Sequence, residues 1–180
     1  MAEKGSRQEI LDRIEKRAIE YEKKAHGCAT TTVLAVGEEF APEEAKLLFK
    51  AATPLSAGIA RRGEVCGALI GAMLAVGLLA GRETLDEPAY GTVLDKKTGK
   101  PRKAELIREL FHRFVQQEGS PRCRDIQTRV AGRPFDLHEP EEAKQFRESG
   151  EPDKCAKVVG RAARLATEII FQMKDEGLIK

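Results

Sequence analysis

Four cysteines, Cys28, Cys66, Cys123 and Cys155, are the residues of this chain best suited to chemistry. A thiolate is both a nucleophile toward disulfides and a metal ligand, and its supply at neutral pH depends on how far the surroundings lower the thiol pKa. The four stand as dispersed single residues with no CxxC, so neither a zinc finger nor a thioredoxin-like dithiol is written in their spacing. What they share is position. Cys66, Cys123 and Cys155 each follow a helix-start signal by a few residues, and Cys28 does so if Gly27 interrupts its helix. Free amides and the dipole of a first turn favour a thiolate, which predicts lowered thiol pKa values.

Three uses of such cysteines follow. In disulfide exchange, Cys28 or Cys66 attacks the disulfide of a protein redox partner and a second cysteine resolves the mixed disulfide. In metal ligation, convergence of Cys28, Cys66, Cys123 and Cys155 would make a tetrahedral sulfur site for zinc or an iron-sulfur cluster. In the plainest case the cysteines are small buried hydrophobes of a helical structural or interaction protein. His26, beside Gly27-Cys28, is placed to stabilise a thiolate or accept its proton, whereas His112 and His138 have no spacing to a cysteine that signals zinc.

The elements that must position these sulfurs read as helices. Ser6 and Glu9 form a capping box ahead of a stripe through Leu11, Ile14, Ala18, Tyr21, Ala25 and Cys28. TTTVLAV continues to Gly37, and Pro42 opens a further helix with Glu43 and Glu44 in its first turn. In PLSAGIARRGEV, Gly58 and Gly63 flank Arg61 and Arg62, a loop that either brings amides and cations near Cys66 or stands as a solvent turn. The stretch 63–81, GEVCGALIGAMLAVGLLAG, has small residues at Gly63, Gly67, Gly71 and Ala75, one stripe on which another backbone could pack closely. Apolar on nearly every side, it is a bundle's central helix or a short membrane segment. The amphipathic stretches around it need a partner, so the core reading is adopted and no membrane is expected.

Residues 82–102 form a polar insertion or loop, with a brief hairpin over Thr92 to Leu94 and DKKTGK as one outcome and an unstructured segment as the other. Helical pattern returns over 103–118, then from Ser120-Pro121 with Cys123, Ile126 and Val130 on one face, and again near 140–149. Pro152 and Asp153 introduce the last long helix, with Cys155, Val158, Ala162, Ile169 and Met173 on its buried side. The fold expectation is all-α: a compact helical bundle around a central apolar helix, one domain over 1–180.

With 31 Lys and Arg against 29 Asp and Glu, the net charge of +2 makes no case for nucleic acid as a partner. The start, MAEKGSRQEILDRIEKR, has no apolar signal region, which makes the cytoplasm the expected compartment. The small-residue stripe and surplus apolar faces point to a homodimer. No nucleotide loop or paired-carboxylate site is present, so no enzymatic reaction is assigned.

Taken together, HGCATTTVLA around Cys28, RRGEVCGALIGAMLAVGL around Cys66, GSPRCRDI around Cys123 and DKCAKVVGRAA around Cys155 carry a resemblance. The chain resembles, from Tyr21 to Ile170, the redox-active protein family named for its C_GCAxxG_C_C pattern. The resemblance implies a small all-helical redox protein, places the family's cysteines on Cys28, Cys66, Cys123 and Cys155, and makes Gly67, Ala68 and Gly71 the packed small positions after the second.

Overall fold

The computed structural model describes residues 5–89, 91–95 and 99–180. Ser6 opens α1 (Arg7–Ala25): its Oγ accepts from the Glu9 amide at 3.3 Å, and the Glu9 carboxylate accepts from the Ser6 amide at 2.7 Å. This closes the expected capping box, worth about 1 kcal/mol. His26 ends α1 in a left-handed conformation, and Gly27 turns the chain so that α2 (Cys28–Phe40) begins one residue later. Pro42 starts α3 (Pro42–Ala51), which is followed by a single 3₁₀ turn at Thr53–Leu55. The remaining helices are α4 (Gly67–Ala80), α5 (Arg102–Glu118), α6 (Cys123–Ala131), α7 (Pro140–Glu148) and α8 (Glu151–Asp175).

The architecture is an all-α bundle with no sheet among the described residues; the one β-type pairing is an isolated antiparallel bridge between Val65 and Arg122. Ion pairs fix the direction of the two longest helices. Arg7 pairs with Asp175 at one end, Arg164 with Asp12 in the middle, and Lys23 with Asp153 at the other end, so α1 and α8 lie antiparallel. Gly160 permits their close approach, since a Cβ there would stand 2.6 Å from the Ile19 side chain. α2 and α4 run parallel, with Gly71 against the Ala29 carbonyl near their starts and Gly37 near Leu78 toward their ends. At one end of the bundle Phe40 meets Phe171 edge-on at 5.9 Å; at the other lie the starts of α2, α4, α6 and α8.

Packing refines the sequence expectations. The apolar stretch becomes helical only at Gly67, because Gly63 lies in the preceding loop at φ +72°. Gly67 and Gly71 are spent against α2 and Ala75 is buried, so the stripe offers no surface to a second copy. α8 packs on α1, α2, α4, α5, α6 and α7, while the apolar α4 packs on α2, α3, α5 and α8. α6 starts at Cys123 rather than at Pro121, with Ser120 Oγ accepting from the Arg122 amide at 3.1 Å. Between α4 and α5, Thr92 to Leu94 form no strand; of the DKKTGK turn at 95–100, residues 96–98 lie outside the described residues, while the Asp95 amide donates to the Lys100 carbonyl and the Gly99 amide to the Asp95 carbonyl, both at 2.8 Å. Among the described residues no helix is long and apolar enough to cross a membrane.

Candidate functional site: a cavity walled by four cysteines

All four cysteines stand near helix starts, but only Cys155 follows one by a few residues. Cys28 and Cys123 are the first residues of α2 and α6, Cys66 immediately precedes α4, and Cys155 lies one turn into α8. Because these starts share one end of the bundle, all four cysteines line one cavity of about 720 Å³. That volume lies within the usual range for a small-molecule or side-chain pocket. The walls are completed by the end of α1 with Glu22 and His26, the turn 54–61, and α7 with Phe146 and Arg147. None of the four cysteines is in a disulfide; Cys66 and Cys123 are buried, Cys28 and Cys155 half-buried.

Two backbone devices bring the sulfurs together. The first is the bridge: the Cys66 amide donates to the Pro121 carbonyl at 2.8 Å, and the Cys123 amide donates to the Glu64 carbonyl at 2.6 Å. The segments leading into α4 and α6 therefore run side by side, and Arg124 clamps them through the Arg62 and Gly63 carbonyls and the Glu64 carboxylate. The second is close packing of α4 on α2, where a Cβ on Gly67 would stand 2.3 Å from the Cys28 sulfur. Only glycine leaves that sulfur its place.

The turn before Cys66 is unusual. Ala57, Gly58, Ile59, Ala60 and Arg61 all have positive φ, between +50° and +74°, so five consecutive residues wind left-handed. For residues with a Cβ this costs roughly 1–2 kcal/mol each, and it persists only where surroundings enforce it. Here the Ala60 amide donates to the Pro54 carbonyl at 2.7 Å and the Glu64 amide to the Gly58 carbonyl at 3.0 Å. The turn aims the Ala57 amide at the Cys28 sulfur, 3.4 Å away. The loop thus serves Cys28 rather than Cys66; Arg61 lines the cavity and donates to the Leu137 carbonyl at 3.0 Å.

The expected lowering of thiol pKa values is overturned. Burial pushes the Cys28 thiol well above its ordinary value, with the charge of Glu22 and the neighbouring Cys66 and Cys155 adding to the shift. Burial likewise pushes Cys66 and Cys123 up to about 12, in each case with other cysteines adding to the shift. First-turn amides act against burial at Cys66 but do not outweigh it. Every pair among the four is close enough for one thiolate to oppose ionisation of another. At rest Cys28, Cys66 and Cys123 are thiols, not thiolates.

Among the described residues no three or more of His, Cys, Asp and Glu form a group that could hold a metal ion. His26 lines the cavity as expected, while His112 takes a hydrogen bond from Arg108 at 3.2 Å and His138 is exposed, both away from the cavity.

Sequence reading missed Glu22. It is 8% exposed and lines the cavity, with Oε2 accepting from the Thr31 hydroxyl at 2.7 Å and the Gly27 amide at 3.0 Å. Burial raises its pKa to about 7 against the lowering effect of both hydrogen bonds. A signal was present: Ile10, Ile14, Ala18 and Glu22 recur every four residues, so the carboxylate continues the most buried stripe of α1.

A family model described as "Putative redox-active protein (C_GCAxxG_C_C)" matches residues 26–169. No curated protein and no solved structure matches the chain.

Proposed function

Because this chain belongs to the C_GCAxxG_C_C family of redox-active proteins, we propose that it is a thiol-disulfide carrier that exchanges electrons with a partner protein's disulfide in the cysteine cavity. The observation that carries this reading is that four cysteines, none in a disulfide, come from the starts of four separate helices to wall one cavity. Cys28 is the attacking sulfur. It is half-buried, lines the cavity, and has the Ala57 amide placed to support charge on its sulfur as the proton leaves, before the S–S bond forms. Cys66 resolves, since the residue after it, Gly67, packs directly on the Cys28 sulfur. The cycle converts two thiols to one disulfide and returns the partner's two sulfurs as thiols, a transfer of two electrons and two protons. In this reading the 1–180 chain acts as one domain, and the apolar α4 is the fixed centre that holds Cys66 against α2.

High thiol pKa values suit a carrier that stays unreactive until a disulfide enters its cavity. Burial of Cys66 and Cys123 is also what an inert core would show, so access at Cys28 and Cys155 separates the two readings. Thiols are counted before and after mild oxidation, and a Cys66→Ser variant is mixed with a disulfide-bearing protein to trap the adduct on Cys28. Loss of two thiols with retained fold, and a trapped mixed disulfide, are expected. Four thiols that neither pair nor capture a disulfide in the folded protein would leave only the inert core.

A further inference from the structure

Glu22 is a buried carboxylate that the exchange steps above do not use. It lines the same cavity as Cys28, and its charge acts on the Cys28 thiol. Among the described residues no lysine, arginine or histidine forms an ion pair with it; its recorded partners are one hydroxyl and one amide, both on Oε2. The other ionisable groups of the cavity wall are His26 at the end of α1, Cys28 on α2, Arg61 on the left-handed turn, Cys66 before α4, Cys123 on α6, Arg147 on α7 and Cys155 on α8. A carboxylate kept only to cap the start of α2 is an expensive choice, because a neutral amide would accept the same two hydrogen bonds without desolvating a charge.

We propose that Glu22 carries the proton of exchange: as the Cys28 sulfur attacks a partner disulfide, its proton passes to the Glu22 carboxylate and from there to the departing sulfur. This rests on the exchange reading above. Cys28–SH and RS–SR′ become Cys28–S–SR and R′SH. The Cys28 sulfur forms the new S–S bond with a lone pair, the old S–S bond breaks with its electron pair on the R′ sulfur, and the single proton travels by way of Glu22, which ends as it began. Such a carrier is needed here because burial leaves almost no Cys28 thiolate at neutral pH, so deprotonation must accompany attack. A base is most effective when it titrates near the working pH, which is where burial places Glu22. Glu22 and Cys28 line the same cavity, so the proton passes within it.

The test uses the reduced full-length protein and hydroxyethyl disulfide, a small neutral disulfide. The rate of the first mixed disulfide on Cys28 is followed by mass spectrometry from about pH 5 to about pH 9, a range that brackets the expected base. The wild-type rate is expected to rise through an ionisation near pH 7, the value to which burial brings Glu22. Glu22→Gln keeps an oxygen for Thr31 and Gly27 but should lose that inflection and fall about 10²-fold at the alkaline end. Glu22→Asp, which keeps a carboxyl, should retain the inflection. A wild-type profile with no inflection below the thiol range overturns the proposal without any variant, as does a Glu22→Gln profile superimposable on wild type. Reaction at Cys28 without a Glu22-dependent step overturns this inference alone. Failure of folded Cys28 to form any mixed disulfide overturns the exchange reading and this inference together.

Discussion

Two glutamates are buried among the described residues, and the fold treats them in opposite ways. Glu118, at the end of α5, has a fully buried side chain. It accepts from Arg161 Nε at 2.6 Å and Nη2 at 2.9 Å, and from Arg129 as well. Those two guanidinium groups come from α8 and α6, so the carboxylate ties three helices together. Glu22, at the end of α1, receives a hydroxyl and an amide and no cation among the described residues. A carboxylate that holds elements together is met by two cations; one left without them has its pKa raised by burial to about 7. The corner around Glu118 is built for stability, and the cavity end keeps a carboxyl that no cation meets among the described residues, the group the proposed exchange uses as its base.

The contrast is broken or sharpened first at Glu118. Glu118→Leu leaves two guanidinium groups facing an apolar side chain, and breaking a buried pair in this way costs about 3–5 kcal/mol. Arg129 and Arg161 are partly exposed, with side chains 45% and 32% accessible, so the low end of that range is expected in denaturant unfolding at neutral pH. A loss under about 1 kcal/mol would class the triad with ordinary surface pairs and remove the contrast.

At Glu22 the opposite sign is expected. The folded state raises this carboxyl from 4.5 to about 7, so the fold binds the proton more tightly than the unfolded chain does. The stabilisation from protonated Glu22 is full below the unfolded value of 4.5 and is lost as pH rises through about 7. Glu22→Gln, uncharged throughout, should therefore be more stable than wild type by about 2–3 kcal/mol above pH 8, with the difference vanishing on the acid side. Unfolding curves for both proteins across pH read this directly. A variant less stable than wild type at alkaline pH would mean that the carboxylate, and not only its oxygen, is needed to hold Thr31 and Gly27.

Much of this arrangement was legible in the sequence because it is local. The Ser6-Glu9 box, Pro42 and Pro140 at helix starts, and the cysteines close to helix N-termini are short-range signals, and each is in its place. The pKa direction was misjudged because helix-start amides are visible in a sequence and burial is not. The pairing of the segments before Cys66 and Cys123 joins residues some sixty positions apart through backbone atoms alone, so no side-chain pattern announces it. Glu22 escapes the apolar pattern because the stripe through Leu11, Ile14, Ala18 and Tyr21 diverges from the deeper one through Ile10, Ile14 and Ala18, which a carboxylate continues.

The two ends of α4 repeat the contrast on a smaller scale. A Cβ at Gly67 would stand 2.3 Å from the Cys28 sulfur and 3.2 Å from the Ala29 nitrogen, whereas one at Gly77 meets nothing within 4 Å. Gly67→Ala should destabilise by about 2 kcal/mol through overpacking and should change the alkylation rate of Cys28 as the sulfur is displaced. Gly77→Ala should be neutral or stabilising by up to about 1 kcal/mol, from helix propensity alone. Equal effects at both positions in thermal unfolding would show that close packing is not confined to the cysteine end.

The smallest effect concerns the left-handed turn. Ala60 sits at φ +50° as the fourth of five consecutive residues of positive φ. Its Cβ strains the backbone by roughly 1–2 kcal/mol in this conformation, and replacing it with glycine removes that strain. Glycine also gains freedom in the unfolded chain, which takes back about 0.4–1 kcal/mol. The net expectation for Ala60→Gly is a gain of about 0.5–1 kcal/mol, seen as a higher melting temperature, with no side-chain contact of the core removed. A further readout shows what the strain is for. The turn holds the Ala57 amide 3.4 Å from the Cys28 sulfur, and a looser turn holds it there a smaller fraction of the time. The variant should therefore be more stable yet slower at forming a mixed disulfide on Cys28. Gain in stability with unchanged exchange would place the strain outside the reaction, and a loss of stability would mean that the Ala60 Cβ contributes more by packing at the cavity wall than its conformation costs.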